Sequence, residues 1–178
     1  MTAYAVFLRG VNVGGINLKM AELKATLAKL AVTDVATLLA SGNAVLRSDL
    51  SPSELKEAVQ AALREAFGYD AWVIVMTADE LDSVVAACPY PSDDSGTHTY
   101  VTLSSEPAVL DELWAMAEEN GTEHTRLSPI ATAWLAPVGG TLESPMSKAT
   151  GKAKYKATTT TRNLRTMLKV QAAARKLS

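Results

Sequence analysis

The chain has 178 residues, 48% hydrophobic and 20% charged, a balance that suits a folded globular protein and argues against disorder throughout. Its formal charge of −2 conceals a strong polarity: residues 144–178 hold nine of the seventeen Lys and Arg and no acid, while the rest of the chain carries eight bases against nineteen acids. Its single cysteine, Cys88, excludes an internal disulfide and any multi-cysteine metal site.

No apolar run reaches the ~20 residues needed to cross a bilayer. The start Met1-Thr2-Ala3-Tyr4 lacks the basic and apolar regions of a signal peptide. The expectation is therefore a cytoplasmic protein without membrane association. The sequon Asn120-Gly121-Thr122 then reads as a helix-ending turn rather than a glycan acceptor.

Tyr4 to Leu8 is a short apolar run followed by glycine, which predicts a buried strand. From Leu18 to Leu30, Met20, Leu23, Leu27 and Leu30 share one helical face. Asp34–Ala40 and Ala44–Arg47 read as two strands around a tight turn at Ser41-Gly42-Asn43. Ser51-Pro52-Ser53-Glu54 predicts a helix start, with Ser51 as cap, Pro52 at the first position and Glu54 completing a capping box. That helix ends at Gly68, and Ala71–Met76 is another strand. A short apolar helix, Asp79–Cys88, makes Cys88 a small buried hydrophobe, and a Pro/Asp/Ser-rich breaker follows it.

The order then repeats. Thr99–Leu103 reads as a strand, and Glu106–Glu119 as a helix burying Leu110, Leu113, Trp114 and Ala117. Glu123–Leu127 and Ala131–Ala136 read as strands around Ser128-Pro129. A loop is expected from Pro137 to about Thr159, then a final helix opened by Thr161-Arg162-Asn163, with Arg162, Arg165, Lys169 and Lys176 forming a basic ridge. The fold class is α+β, two tandem ferredoxin-like βαββαβ subdomains. The first spans 1–77, a helix and linker span 78–97, and the second spans 98–178 with its basic loop and helix.

Three features could meet a ligand. Arg9-Gly10-Val11-Asn12-Val13-Gly14-Gly15 joins the first strand to the first helix. Its glycines allow close backbone approach, and Arg9 can hold phosphate or carboxylate. The spacing matches no nucleotide fingerprint. The second feature is the Thr161-Arg162-Asn163 helix start. The third is the loop Lys148–Lys156, where four lysines flank Gly151 and Tyr155, a weak pattern for phosphate or base contact. Against all three stands the run from Glu65 to Thr125, with thirteen acids and no Lys or Arg, which could neutralise the basic end internally. His98 and His124 are the only histidines, and neither is paired in sequence with a nucleophile or a ligand set. Trp72, Trp114 and Trp134 fit core or half-core positions.

Arg9–Gly15, followed by Lys19-Met20-Ala21-Glu22-Leu23, resembles the opening of domain-of-unknown-function family 1697. Ser41-Gly42-Asn43-Ala44-Val45 is similar to that family's SGN-plus-strand motif. Thr161-Arg162-Asn163, with Thr166 and Leu168, is similar to its C-terminal TARNWNT-type motif, although Leu164 and Arg165 stand where the family has Trp and Asn. The resemblance implies a small bacterial protein of two ferredoxin-like subdomains, with no established activity, cofactor or catalytic residue.

The expected function is binding of an anionic ligand, phosphate-bearing or nucleic acid, through Arg9, Asn12, Gly14, Gly15, Ser41, Asn43, Arg162 and Asn163. No metal or cofactor is called for. An enzyme acting on a small phosphorylated or nucleotide substrate, and a charge-driven module assembling as a homo-oligomer, remain the alternatives; catalytic residues are unassigned.

Overall fold

The computed structural model describes residues 1–9, 17–92, 96–138, 144–155 and 158–178. Their contacts divide them into two compact units. One comprises Met1–Asp82 with Lys169–Ser178, the other Ser83–Leu168.

In the first unit, β1 (Thr2–Arg9), α1 (Met20–Leu27), β2 (Val32–Leu38), β3 (Asn43–Ser48), α2 (Pro52–Phe67) and β4 (Trp72–Thr77) follow one another. The sheet order is β2-β3-β1-β4, antiparallel throughout. Strand alternation decides which residues meet the helices. Tyr4, Val6 and Leu8 of β1 join Ala44 and Leu46 of β3 and Leu23, Leu27, Leu55, Val59 and Leu63 of the two helices in one core. The opposite face of the sheet, with Ala5, Phe7, Asn43, Val45 and Met76, is buried as well.

The expected capping box forms. Ser51 Oγ accepts the Glu54 amide at 3.3 Å, and Glu54 Oε2 accepts the Ser51 amide at 2.8 Å. Gly68 ends α2 at φ 65°, a left-handed conformation that glycine adopts without a Cβ clash. The β2–β3 turn is displaced from its expected place. Leu39 to Gly42 form it, and Asn43 lies inside β3. Leu39 and Ala40, being apolar, read as strand, yet Leu39 sits at φ 60° and Gly42 at φ 84°.

α3 (Ala78–Ala87) precedes a second βαββαβ series: β5 (Thr97–Ser104), α4 (Pro107–Glu119), β6 (His124–Ser128), β7 (Ala131–Pro137), α5 (Pro145–Thr150) and β8 (Thr159–Asn163). The sheet order β6-β7-β5-β8 repeats the first one. Leu110, Leu113 and Ala117 of α4 pack with Trp134 and Ala136 of β7, Met146 and Ala149 of α5, and Tyr155. As expected, Asn120-Gly121-Thr122 ends a helix: Gly121 is left-handed, and the Thr122 amide reaches back to Ala117 O at 3.0 Å.

Two expectations for the end of the chain are overturned. The segment after Pro137 is not one long loop, because Ser144 caps α5 and Pro145 starts it. Nor do Thr161-Arg162-Asn163 open the last helix. β-Branched threonines favour extended backbone, and Thr159–Asn163 pair with Tyr100–Ser104 as the closing edge strand of the second sheet. α6 (Leu164–Arg175) begins only after Asn163, whose Oδ1 accepts the Arg165 amide at 2.8 Å in the manner of an N-cap. Both units thus complete the tandem ferredoxin-like α+β pattern. No described helix is long and apolar enough to cross a membrane.

Candidate functional site

Arg9 is the last residue of β1, a central strand, and is half-buried. Burial strips water from its guanidinium and lowers its pKa from the usual arginine value. Asn12, Gly14 and Gly15 of the adjoining loop lie outside the described residues.

The SGN turn lies beside Arg9. The Leu8 amide donates to Gly42 O at 2.9 Å, extending the β1–β3 pairing to the turn itself. Ser41 is exposed there. Asn43 is fully buried, and its amide donates to Leu38 O and to Ser41 Oγ, both at 2.9 Å. A buried amide spanning a turn with two positive φ angles is a structural clamp, so Asn43 acts on the shape of the turn.

Sequence reasoning missed two neighbours. The β1–β4 register puts Trp72 directly opposite Arg9. The Arg64 guanidinium, from the last turn of α2, lies 4.8 Å from the centre of the Trp72 ring, and its Nη2 donates to Ala71 O at 3.1 Å. Arg9, Trp72 and Arg64 therefore gather at one end of the first sheet: two cations and a half-buried aromatic. Nothing in the chain pattern links residues 9, 64 and 72; only register and the α2–β4 connection do.

In the second unit Arg162 is 5% exposed. It pairs with Val101 in the sheet, and its Nη1 donates to Thr160 Oγ1 and to Thr161 O. Asn163 is engaged as the cap of α6. Both residues thus have work within the strand-to-helix junction. The other side of this sheet carries a polar cluster inside an apolar core: Trp134 Nε1 donates to Thr102 Oγ1 at 3.0 Å, and Thr102 shares a 2.9 Å bond with Thr161.

The basic segment is partly answered by the acidic middle of the chain. Lys154 Nζ lies 3.3 Å from Glu112 and 4.7 Å from the centre of the Tyr155 ring, and the Tyr155 hydroxyl donates to Glu112 at 2.8 Å. Hydrogen bonds from Tyr155 and Lys154 pull the Glu112 carboxyl below its usual range. Arg175 Nε lies 3.0 Å from Asp82, which also accepts from Gln171 at 2.8 Å. Arg165 and Lys169 are exposed on α6.

The remaining reactive residue types are placed without a catalytic constellation among the described residues. The Cys88 thiol is half-buried and pushed up by burial. His124 is held by Thr122 O at 2.7 Å; its Nε2 lies 3.2 Å from Glu118, within ion-pair reach but off the hydrogen-bond axis. Among the described residues no three His, Cys, Asp or Glu come together as a metal site.

The chain is similar over 97% of its length, and over 98% of the other's, to the conserved bacterial protein SP0830 from Streptococcus pneumoniae, at 20% identity and TM-score 0.78, a likeness of fold. An unknown protein from Galdieria sulphuraria aligns over 91% of this chain and 96% of its own at 12% identity, with a TM-score of only 0.26. No curated protein matches the sequence. The family model described as "Protein of unknown function (DUF1697)" matches residues 1–130, so the chain belongs to that family.

Proposed function

We propose that this protein binds a phosphate-bearing ligand, a nucleotide or nucleic acid, at the end of the first sheet where Arg9, Trp72 and Arg64 gather. The observation that carries this reading is the half-buried Arg9 guanidinium at the end of a central strand, opposite Trp72. A cation already stripped of part of its water is attracted more strongly by an anion than one in bulk solvent. Guanidinium geometry suits phosphate oxygens, and the aromatic offers a surface on which a base can stack.

In this reading Arg9 grips the phosphate and Trp72 meets the base. Arg64 holds the ring and adds positive charge. The glycines Gly14 and Gly15 and Asn12 supply backbone and amide contacts from the adjoining loop, and Ser41 borders the site on the turn side. Arg162 and Asn163 contribute as fixed parts of the second unit's strand-to-helix junction rather than as ligand contacts.

Fluorescence anisotropy with labelled mononucleotides and single-stranded oligonucleotides tests the reading, at low and moderate salt. Binding should be strongest at low salt, because phosphate-driven association weakens as salt rises. Arg9→Gln should reduce it roughly tenfold or more, in keeping with loss of a charge-assisted contact. Absence of binding at low salt, or equal affinity in Arg9→Gln, would discard the proposal.

A further inference from the structure

A cavity separate from the Arg9 site lies at the other end of β1. It is a half-open depression of about 250 Å³ within the first unit. The six or seven residue steps of extended strand from Ala3 and Thr2 to Arg9 place it roughly 20 Å from Arg9. Its lining brings together the start of β1, β3, the β4–α3 junction and the residues after α6.

Two oppositely charged side chains line it, and Met1 brings its amino group to the same lining. Arg47, on β3, is directly opposite Ala3 in the register, on the sheet face away from α1 and α2. Its Nε–H is buried and has no hydrogen-bond partner among the described residues. The rest of the side chain is only part-buried and lines the cavity, so it is this outer part of the guanidinium that an entering acceptor can meet. Asp79 is exposed in the first turn of α3, a position that favours its negative charge. It forms no ion pair among the described residues, with Arg47 or any other base. The nearby amino group of Met1 is taken by Asp49 at 3.1 Å. Thr2 and Thr77 add hydroxyls, and Ala3 and Leu177 add apolar surface.

We infer that this cavity binds a small zwitterion of the amino-acid class, its carboxylate on Arg47 and its ammonium on Asp79. A simple anion would gain from Arg47 but be repelled by Asp79, and a simple cation the reverse. Only a ligand carrying both charges turns both side chains into attractive contacts. The apolar wall leaves room for a short aliphatic portion. The arrangement is independent of the Arg9 site and of any phosphate-bearing ligand there.

Isothermal titration calorimetry on the untagged full chain tests this. The probes are glycine, β-alanine, γ-aminobutyrate, L-alanine and L-leucine, with butyrate and n-butylamine as single-charge controls. At least one zwitterion should bind at concentrations up to about 10 mM, and both controls should bind at least roughly tenfold more weakly. Arg47→Met and Asp79→Asn should each weaken the bound zwitterion by roughly tenfold, while Arg9→Gln leaves it unchanged. Should Arg47→Met fail to fold, Asp79→Asn at its exposed position still decides. The inference is overturned if no zwitterion binds, if either control binds equally well, or if affinity survives Asp79→Asn.

Discussion

The guanidinium of Arg64 lies 4.8 Å from the centre of the Trp72 ring, and Trp72 is the strand partner of Arg9. The tryptophan thus has one exposed helix cation against its ring and a second, half-buried cation as its neighbour across the strand pair. An exposed cation–π contact of this kind contributes about 0.5–1 kcal/mol. Its larger consequence is to fix the ring plane beside Arg9.

Trp72 should therefore report on ligand. A phosphate-bearing ligand bound at Arg9 should alter its emission, and Trp72→Phe should abolish that change while Trp114→Phe leaves it intact. Arg64→Met should weaken binding by roughly threefold at low salt, through loss of a positive charge beside the phosphate site, and the effect should shrink as salt rises. An emission change that persists in Trp72→Phe would place the ligand elsewhere.

The second core allows a test of opposite signs at neighbouring threonines. Thr132 Oγ1 is buried and has no hydrogen-bond partner among the described residues. Thr102, paired with it across β5 and β7, bonds both Trp134 and Thr161. Thr132→Val should raise stability by about 1 kcal/mol, because it removes a desolvated hydroxyl. Thr102→Val should lower it by about 1–3 kcal/mol by leaving two partners unmatched. Urea unfolding measures both, and a destabilised Thr132→Val would mean that the hydroxyl is satisfied after all.

Acid should loosen the fold through two carboxylates. Glu54 is held below its ordinary pKa chiefly by the Ser51 backbone amide, and Glu112 chiefly by the Tyr155 hydroxyl. A carboxylate whose folded pKa is depressed stabilises the protein fully above its unfolded pKa. That contribution is lost as pH falls through the folded value, here below about pH 4. Urea midpoints taken at pH 7 and near pH 3 should fall less for Glu54→Gln and Glu112→Gln than for the parent chain. Identical falls in all three proteins would contradict the assignment.

The helix α2 was legible because its signals are local: Ser51, Pro52, Glu54 and Gly68 each act within one turn. The same Ser-Pro signal stands at Ser144-Pro145 and marks α5, yet the surrounding Gly, Thr and Lys residues masked it. β8 was misread for a different reason. A threonine run can cap a helix or extend as a strand, and only the partner strand β5 selects between these. The turn at Leu39–Gly42 carries a similar lesson, since two apolar residues continue the strand pattern until the Asn43 amide pins the turn behind them. Of the candidate site, Arg9 and Ser41 were visible as polar residues at element ends, whereas Trp72 and Arg64 were not.

By itself the sequence determined the order of most elements, both helical faces that build the cores, and the polarity of charge along the chain. These follow from periodicity, capping and composition, which are properties of neighbouring residues. The tertiary structure alone decided that Arg162 is a buried strand residue, that Lys154 and Arg175 meet acids from the middle of the chain, and that Arg9 stands opposite Trp72. Each of these depends on strand register or on packing between residues far apart in the chain, and no local pattern encodes a register before the strands have met.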